Sequence, residues 1–179
     1  IPMLAWVALS PVILIHDQGL SRMHYALLQL PVFLAMIVGT LTLGRLAGRV
    51  PLERPLKLGA WPILLGLIIA ALSTFTESYS YLWMIAGLSL YAFGSGLVNA
   101  GLYRLALFSS EAGKGSVAAM IGMVSIAVFA LGIELAKYGY FAGGNLWFNG
   151  INLLAGLFWL ALVRAFLRER QRRSQVVAL

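Results

Sequence analysis

The stretch Tyr81–Phe108, YLWMIAGLSLYAFGSGLVNAGLYRLALF, decides the fold. It carries no charge from Leu82 to Val98 and runs on through Asn99 to Arg104. A bilayer crossing takes about 20 apolar residues, so the segment predicts a membrane-spanning helix. It is also rich in small residues. Gly87, Gly94 and Gly101 recur every seven residues, a spacing that drifts only about 20° per step and draws one stripe along a helix. Ala92 and Gly96 add a second, four residues apart. Lipid provides no hydrophobic drive between helices, so backbones associate by close approach at small residues. The stripe reads either as plain packing or as a sliding surface in a protein that changes shape. Asn99 beside the glycines suits the second reading.

The whole chain has the composition this helix implies. Hydrophobic residues make up 61% of the 179 and charged residues 11%, against roughly 25% charged in soluble domains. The chain therefore reads as an integral membrane protein. The formal net charge is +7. Its basic residues lie between and after apolar runs, where membrane topology explains them and nucleic acid does not. There is no cysteine, which excludes disulfides and thiolate metal sites. The chain starts at Ile1 inside an apolar run, with no methionine and no basic leader. That start reads as a cut in something longer.

Working outward gives an all-α, polytopic bundle of six transmembrane helices over residues 1–167, followed by a basic tail, residues 168–179. The expected spans are Ile1–Ile15, Met23–Leu46, Leu58–Phe75, the central segment, Ser116–Tyr138 and Leu146–Leu167. The first is short, about 22 Å at ~1.5 Å per residue against a ~30 Å hydrocarbon core. The connections alternate in charge. One side holds Arg45, Arg49, Arg54, Lys57, Arg104, Lys114, Arg164, Arg168, Arg170, Arg172 and Arg173, and the other only Arg22 and Lys137. Positive charge stays inside. The Arg45–Lys57 loop, the Ser109–Gly115 loop and the tail are thus expected in the cytoplasm. The turns His16–Arg22, Thr76–Ser80 and Gly139–Asn145 are expected outside. Trp83 and Trp147 then fall near the outer interface and Trp61 near the inner one. A three-plus-three inverted repeat suits this topology.

Few polar groups lie at membrane depth. Tyr25 and Gln29 are one helical turn apart and Phe33 continues the face. A phenol, an amide and a ring suit a large, partly aromatic, weakly polar ligand. Gln29 can equally be an interhelical hydrogen bond worth about 0.6 kcal/mol. Glu134 and Lys137 are three apart, within ion-pairing reach near the outer interface, where Lys137 can snorkel. Proton carriage by Glu134 is the sharper alternative. Arg104 can snorkel or bond the inner helix ends. Asn145, Asn149 and Asn152 form a polar stripe that reads as packing glue or as a binding face. Enzyme signatures are missing. His16 and His24 with Asp17 and Glu77 make no convincing zinc site, and neither G-x-S-x-G nor a P-loop is present. Catalysis and ATP-driven transport are not expected.

The loop Gly44–Lys57, GRLAGRVPLERPLK, resembles a decayed copy of the major facilitator loop motif G-x-L-a-D-r-x-G-r-k. Gly44, Leu46, Ala47 and Arg49 match, while Gly48 replaces the aspartate and Pro51 the second glycine. The wording of LAWVALSPVIL, YALLQLPVF, GAWPILLGL, the central helix and FALGIELAK is similar to the carboxy-terminal half of bacterial multidrug–proton antiporters of that superfamily. The resemblance implies an inner-membrane, twelve-helix protein working by alternating access, with this chain as helices seven to twelve and its carboxy terminus in the cytoplasm. Its partners would be the amino-terminal six-helix half, lipophilic drugs and the bilayer. The proton would be the coupling ion, with no other cofactor.

The resemblance also implies sites. Met3, Val7, Tyr25, Gln29, Phe33 and Phe129 match positions lining the drug cavity. Gly122 matches a position tied to conformational change, and Arg104 and Lys114 match basic positions at the inner ends of helices. Gly94 and Gly101 join these as candidates for the moving surface. The proton-coupling carboxylates of the family lie in its first helix, outside this chain, so Glu134 is not promoted to replace them. Two other classes remain: a half-size homodimeric carrier, which the short first helix and missing methionine disfavour, and a non-transporting assembly module using the Gly87–Gly101 stripe. A single-substrate carrier would want more buried hydrogen-bonding groups.

Overall fold

A computed structural model describes the chain except residues 47–48, 52, 77–79, 109–112 and 178–179, and describes side chains except at residues 53 and 170–177. Ala47 and Gly48 of the loop motif, Glu77, much of the Thr76–Ser80 and Ser109–Gly115 connections and most tail side chains thus lie outside the described residues. All described regular structure is helical. Helix α1 spans Pro2–Pro11 and continues as a π-helix, Val12–Asp17; α2 spans Arg22–Leu46. Helix α3 spans Glu53–Leu72 and closes with a 3₁₀ turn, Ser73–Phe75; α4 spans Ser80–Leu107 and α5 Lys114–Val177.

Among the described residues there are five α-helices where six spans are expected. The fifth is broken: Gly143 and Gly144 have non-helical backbone angles, with Gly144 at φ 63°, ψ −152°. A side chain is strained in that region and glycine is not. The break divides α5 into two arms, residues 114–142 and 145–177, at the expected turn Gly139–Asn145. The first segment also differs from expectation. Pro11 has no N–H to give, and the helix after it widens to π geometry.

Among the described residues, four helices are long and apolar enough to cross a membrane: Arg22–Leu46, Arg54–Phe75, Ser80–Leu107 and Lys114–Glu169. The Pro2–Asp17 segment is apolar but shorter. Large apolar side chains stand exposed along α2 and α5, among them Leu30, Leu34, Ile37, Met123, Ile126 and Leu131. In water such faces would aggregate; in lipid they are solvated. The chain is a multi-pass membrane protein.

Helix α4 is the hub, packed more heavily on α2 and α3 than any other pair of helices. Its buried set, Gly87, Leu88, Tyr91, Gly94, Ser95, Val98 and Gly101 among others, leaves little of it exposed. The small residues explain the closeness. A Cβ on Gly87 would lie 2.6 Å from the Gly66 carbonyl oxygen and 2.6 Å from the Ala70 nitrogen. One on Gly94 would lie 2.7 Å from the Gly59 carbonyl oxygen. Gly59 and Gly66 on α3 are also seven apart, and they meet Gly94 and Gly87 in reverse order. Helices α3 and α4 are therefore antiparallel with two matched backbone contacts. On the α2 side, Gly39 meets the Phe93 backbone, and Gly96 meets Met36 and Thr40. Stray hydroxyls are satisfied within helices: Thr40, Thr42 and Ser89 donate to the carbonyls of Met36, Val38 and Ile85.

Candidate functional site

The expected stripe on α2 divides. Gln29 is turned inward, 9% exposed, and its Oε1 accepts a hydrogen bond from the Nε1 of Trp6 at 2.9 Å. Trp6 is fully buried on α1. One turn earlier, the Tyr25 hydroxyl lies 3.3 Å from Ser10 Oγ. Tyr25 and Gln29 thus face Ser10 and Trp6 one helical turn apart on each side and form a polar seam between α1 and α2. Phe33 leaves the seam: it is 39% exposed, because each four-residue step advances about 40° around a 3.6-residue helix.

The other cavity candidates are open in different degrees. Met3 packs at the margin of both hydrophobic clusters. Val7 and Phe129 are exposed, at 45% and 37%. Two clefts in the structure, one between α3 and α5 and one beside Asn145, are lined by other residues. Trp6 and Ser10 complete the Gln29–Tyr25 seam, and sequence reasoning missed both. The signal was present: Trp6 and Ser10 are one turn apart, as Tyr25 and Gln29 are.

Gln29 has hydrogen-bonding capacity to spare. Its Nε2 is buried with no partner among the described residues, although its Oε1 is bonded. The sixth-span asparagines behave similarly. Asn149 and Asn152 are 4% and 3% exposed, with Nδ2 of the first and both amide atoms of the second unpaired among the described residues. Asn145 lines the small cleft with Gln18, Ser73, Thr74, Thr76 and Ser80. Asn149 and Asn152 are therefore buried and Asn145 half-buried, with Oδ1 of Asn145 also unpaired among the described residues.

The conformational candidates occupy contrasting settings. Gly94 is locked against α3 and Gly101 is buried in α4. A Cβ on Gly122 would meet nothing within 4 Å. Asn99 donates to Ser95 Oγ at 3.0 Å within its own helix. Arg104 is exposed in the last turn of α4. Lys114 closes that helix: its Nζ is 3.4 Å from the Leu107 carbonyl oxygen and 4.4 Å from the Phe108 ring centre. A cation there complements the negative end of the helix dipole.

Glu134 and Lys137 form the expected ion pair at 2.9 Å, with side chains 69% and 40% exposed. At the end of the first segment, Asp17 binds His16 Nδ1 at 2.6 Å and accepts a hydrogen bond from the Tyr140 hydroxyl. The hydrogen bond from His16, and then that from Tyr140, hold its carboxyl below the ordinary carboxylate pKa.

Comparison with known proteins bears on the whole length. The chain is 56% identical over 170 residues to "Multidrug transporter MdfA" of Edwardsiella ictaluri, covering 95% of this chain and 42% of that protein. It is 54% identical over 170 residues to the protein of the same name from Yersinia pestis, with the same coverage. With that of Escherichia coli O6:H1 it is 48% identical over 171 residues, 96% of this chain and 42% of that one. The chain therefore spans less than half the length of the curated relatives it matches. These matches agree with the expected likeness to the carboxy-terminal half of a major facilitator multidrug transporter. No family model matches the chain.

Proposed function

We propose that this chain is the carboxy-terminal, six-span half of a proton-coupled multidrug efflux transporter of the major facilitator superfamily. One observation carries the reading: 56% identity over 95% of the chain to a protein named as a multidrug transporter, of which it covers 42%. The break at Gly143–Gly144 supports the six-span count, because each arm of α5 is long enough to cross a bilayer. A three-plus-three arrangement suits that count, and a cytoplasmic carboxy terminus suits the charge bias.

In this mechanism the bundle rocks against the amino-terminal half around a midplane cavity. Matched glycine contacts hold α3 and α4 as one rigid unit, and the Trp6–Gln29 bond ties α1 to α2. Met3, Val7, Phe33 and Phe129 give the cavity an apolar, adaptable wall that suits many lipophilic cationic or neutral drugs. Tyr25 and Gln29 supply its weakly polar part, and the buried, unpaired Nε2 of Gln29 becomes a donor to a drug when the α1–α2 seam opens. Gly122, Arg104 and Lys114 serve the change of shape. Protons enter through the other half, in the bacterial inner membrane.

The test is efflux of a lipophilic cation and a neutral drug from a drug-sensitive bacterium. The chain is expressed alone, and together with the amino-terminal half of the Edwardsiella ictaluri relative. Efflux should need both halves and stop when a protonophore collapses the gradient. Efflux by this chain alone would instead indicate a half-size homodimeric carrier. Absence of efflux when both halves reach the membrane would indicate a non-transporting assembly module.

A further inference from the structure

A cleft of about 440 Å³ opens between the start of α3 and the far arm of α5. It shares no residue with the proposed drug cavity. Three cations line it: Lys57 from α3, and Arg164 and Arg168 from α5. Its lining contains no carboxylate, and among the described residues no ion pair engages any of the three. All three are exposed. Below them the floor is apolar, with Leu160 and Leu167 buried at 8% and 7%. Trp61 stands one turn from Lys57 at the wall, 65% exposed.

The placement of charge and grease matches one kind of molecule. Lys57 lies in the first turns of α3, and Arg164 and Arg168 lie where the apolar run of α5 ends. Both are headgroup depth in a bilayer, where a tryptophan also prefers to sit. The leucine floor continues toward the acyl region. A lipophilic cation, the cargo proposed above, would be repelled by three positive charges. An anionic headgroup would be attracted by each, and arginine adds paired donors for phosphate oxygens. We propose that this cleft is a binding site for an anionic phospholipid, with its phosphodiesters on Lys57, Arg164 and Arg168 and an acyl chain along Leu160 and Leu167. Because two helices supply the cations, a headgroup with two phosphodiesters should bind better than one with a single phosphodiester. The inference rests on the membrane location of the chain and not on drug transport.

The test uses the complete two-half transporter, purified in detergent and followed by native mass spectrometry. Cardiolipin, phosphatidylglycerol and phosphatidylethanolamine are added in turn. Binding should fall in that order. Arg164→Gln with Arg168→Gln should weaken cardiolipin binding about 30-fold, taking each basic residue at its usual contribution near a lipid surface. Lys57→Gln alone, a gentler change, should weaken it several-fold, and Arg22→Gln at the other end of the molecule should leave it unchanged. Equal binding of the three lipids, or undiminished cardiolipin binding by both cleft variants, would overturn the proposal. So would displacement of the lipid by inorganic phosphate, which would make the cleft a site for soluble anions. Because the readout is lipid mass, loss of drug efflux would not imitate a negative result.

Discussion

The indole nitrogen of Trp6 donates to the amide oxygen of Gln29 at 2.9 Å, and both side chains are buried. This bond gives the central amide a structural duty, since it joins α1 to α2. Trp6→Phe should remove the donor and leave the amide oxygen unpaired, at a cost of about 1 kcal/mol. Gln29→Leu should cost a similar amount. A double-mutant cycle, read by unfolding in mixed micelles, should give a coupling near the ~0.6 kcal/mol usual for membrane hydrogen bonds. Gln29→Leu should also shift drug preference, because it removes the free Nε2 donor. Unchanged efflux of several chemically unlike drugs would count against a binding role for Gln29.

The glycines separate packing from motion. Gly87 has the α3 backbone where a Cβ would go, 2.6 Å from both the Gly66 oxygen and the Ala70 nitrogen. Backbone cannot move aside as a flexible side chain can, so Gly87→Ala should push α3 and α4 apart. Overpacking of this kind costs about 1–3 kcal/mol, visible as a lowered melting temperature in detergent. Gly122 has open space around it. Gly122→Ala should keep or raise stability, since alanine is the better helix former by up to ~1 kcal/mol. If Gly122→Ala still loses efflux, its effect is on conformational change; if it melts early, that role is lost.

The sequence made α4 legible because its glycine spacing is a one-helix signal. The same seven-residue period in Gly59 and Gly66 was equally present, but it gains meaning only once α3 and α4 are laid antiparallel. The Tyr25–Gln29 pairing on one face was readable from helical spacing. Its partners Trp6 and Ser10 repeat the same one-turn spacing, but an aromatic and a hydroxyl in an apolar run do not say which helix they face. Phe33 departs from the seam because 3.6 does not divide four. The break at Gly143–Gly144 lay inside the expected turn, yet α5 runs on as helix to both sides of it. The cationic cleft is illegible in the sequence for a different reason. There Lys57, Arg164 and Arg168 carry only a topological signal, and folding brings them to one opening.

Asp17 joins the end of the first segment to α5 through the Tyr140 hydroxyl. Hydrogen bonds from His16 and Tyr140 depress its native pKa. Its stabilising effect is therefore fully present above the ordinary carboxylate value and is lost as pH falls through the lower native one. Tyr140→Phe should reduce the melting temperature by a constant amount from neutral pH down to about pH 5, and by less below about pH 4. Asp17→Asn should remove that acid dependence. A penalty for Tyr140→Phe that grows as pH falls would refute the linkage.

Glu134 is an ionisable group on a helix that the bilayer reading places in the membrane, and such groups invite a proton-carrying role. The geometry argues otherwise. Its partner Lys137 is 2.9 Å away and one turn along the same helix, and both side chains are well exposed. A pair of this kind contributes about 0–1 kcal/mol, and its exposed i,i+3 geometry is that of a structural surface pair. Glu134→Gln in the two-half transporter should leave gradient-driven efflux within about twofold of the parent, an energy difference under ~0.5 kcal/mol. Lys137→Gln should frustrate Glu134 more than the reverse change frustrates Lys137, because a lysine at this depth can still snorkel to the interface and a glutamate is shorter. Should Glu134→Gln abolish the response to the proton gradient while drug binding persists, the coupling carboxylate would lie in this half after all, and the division of labour between the halves would have to be reversed.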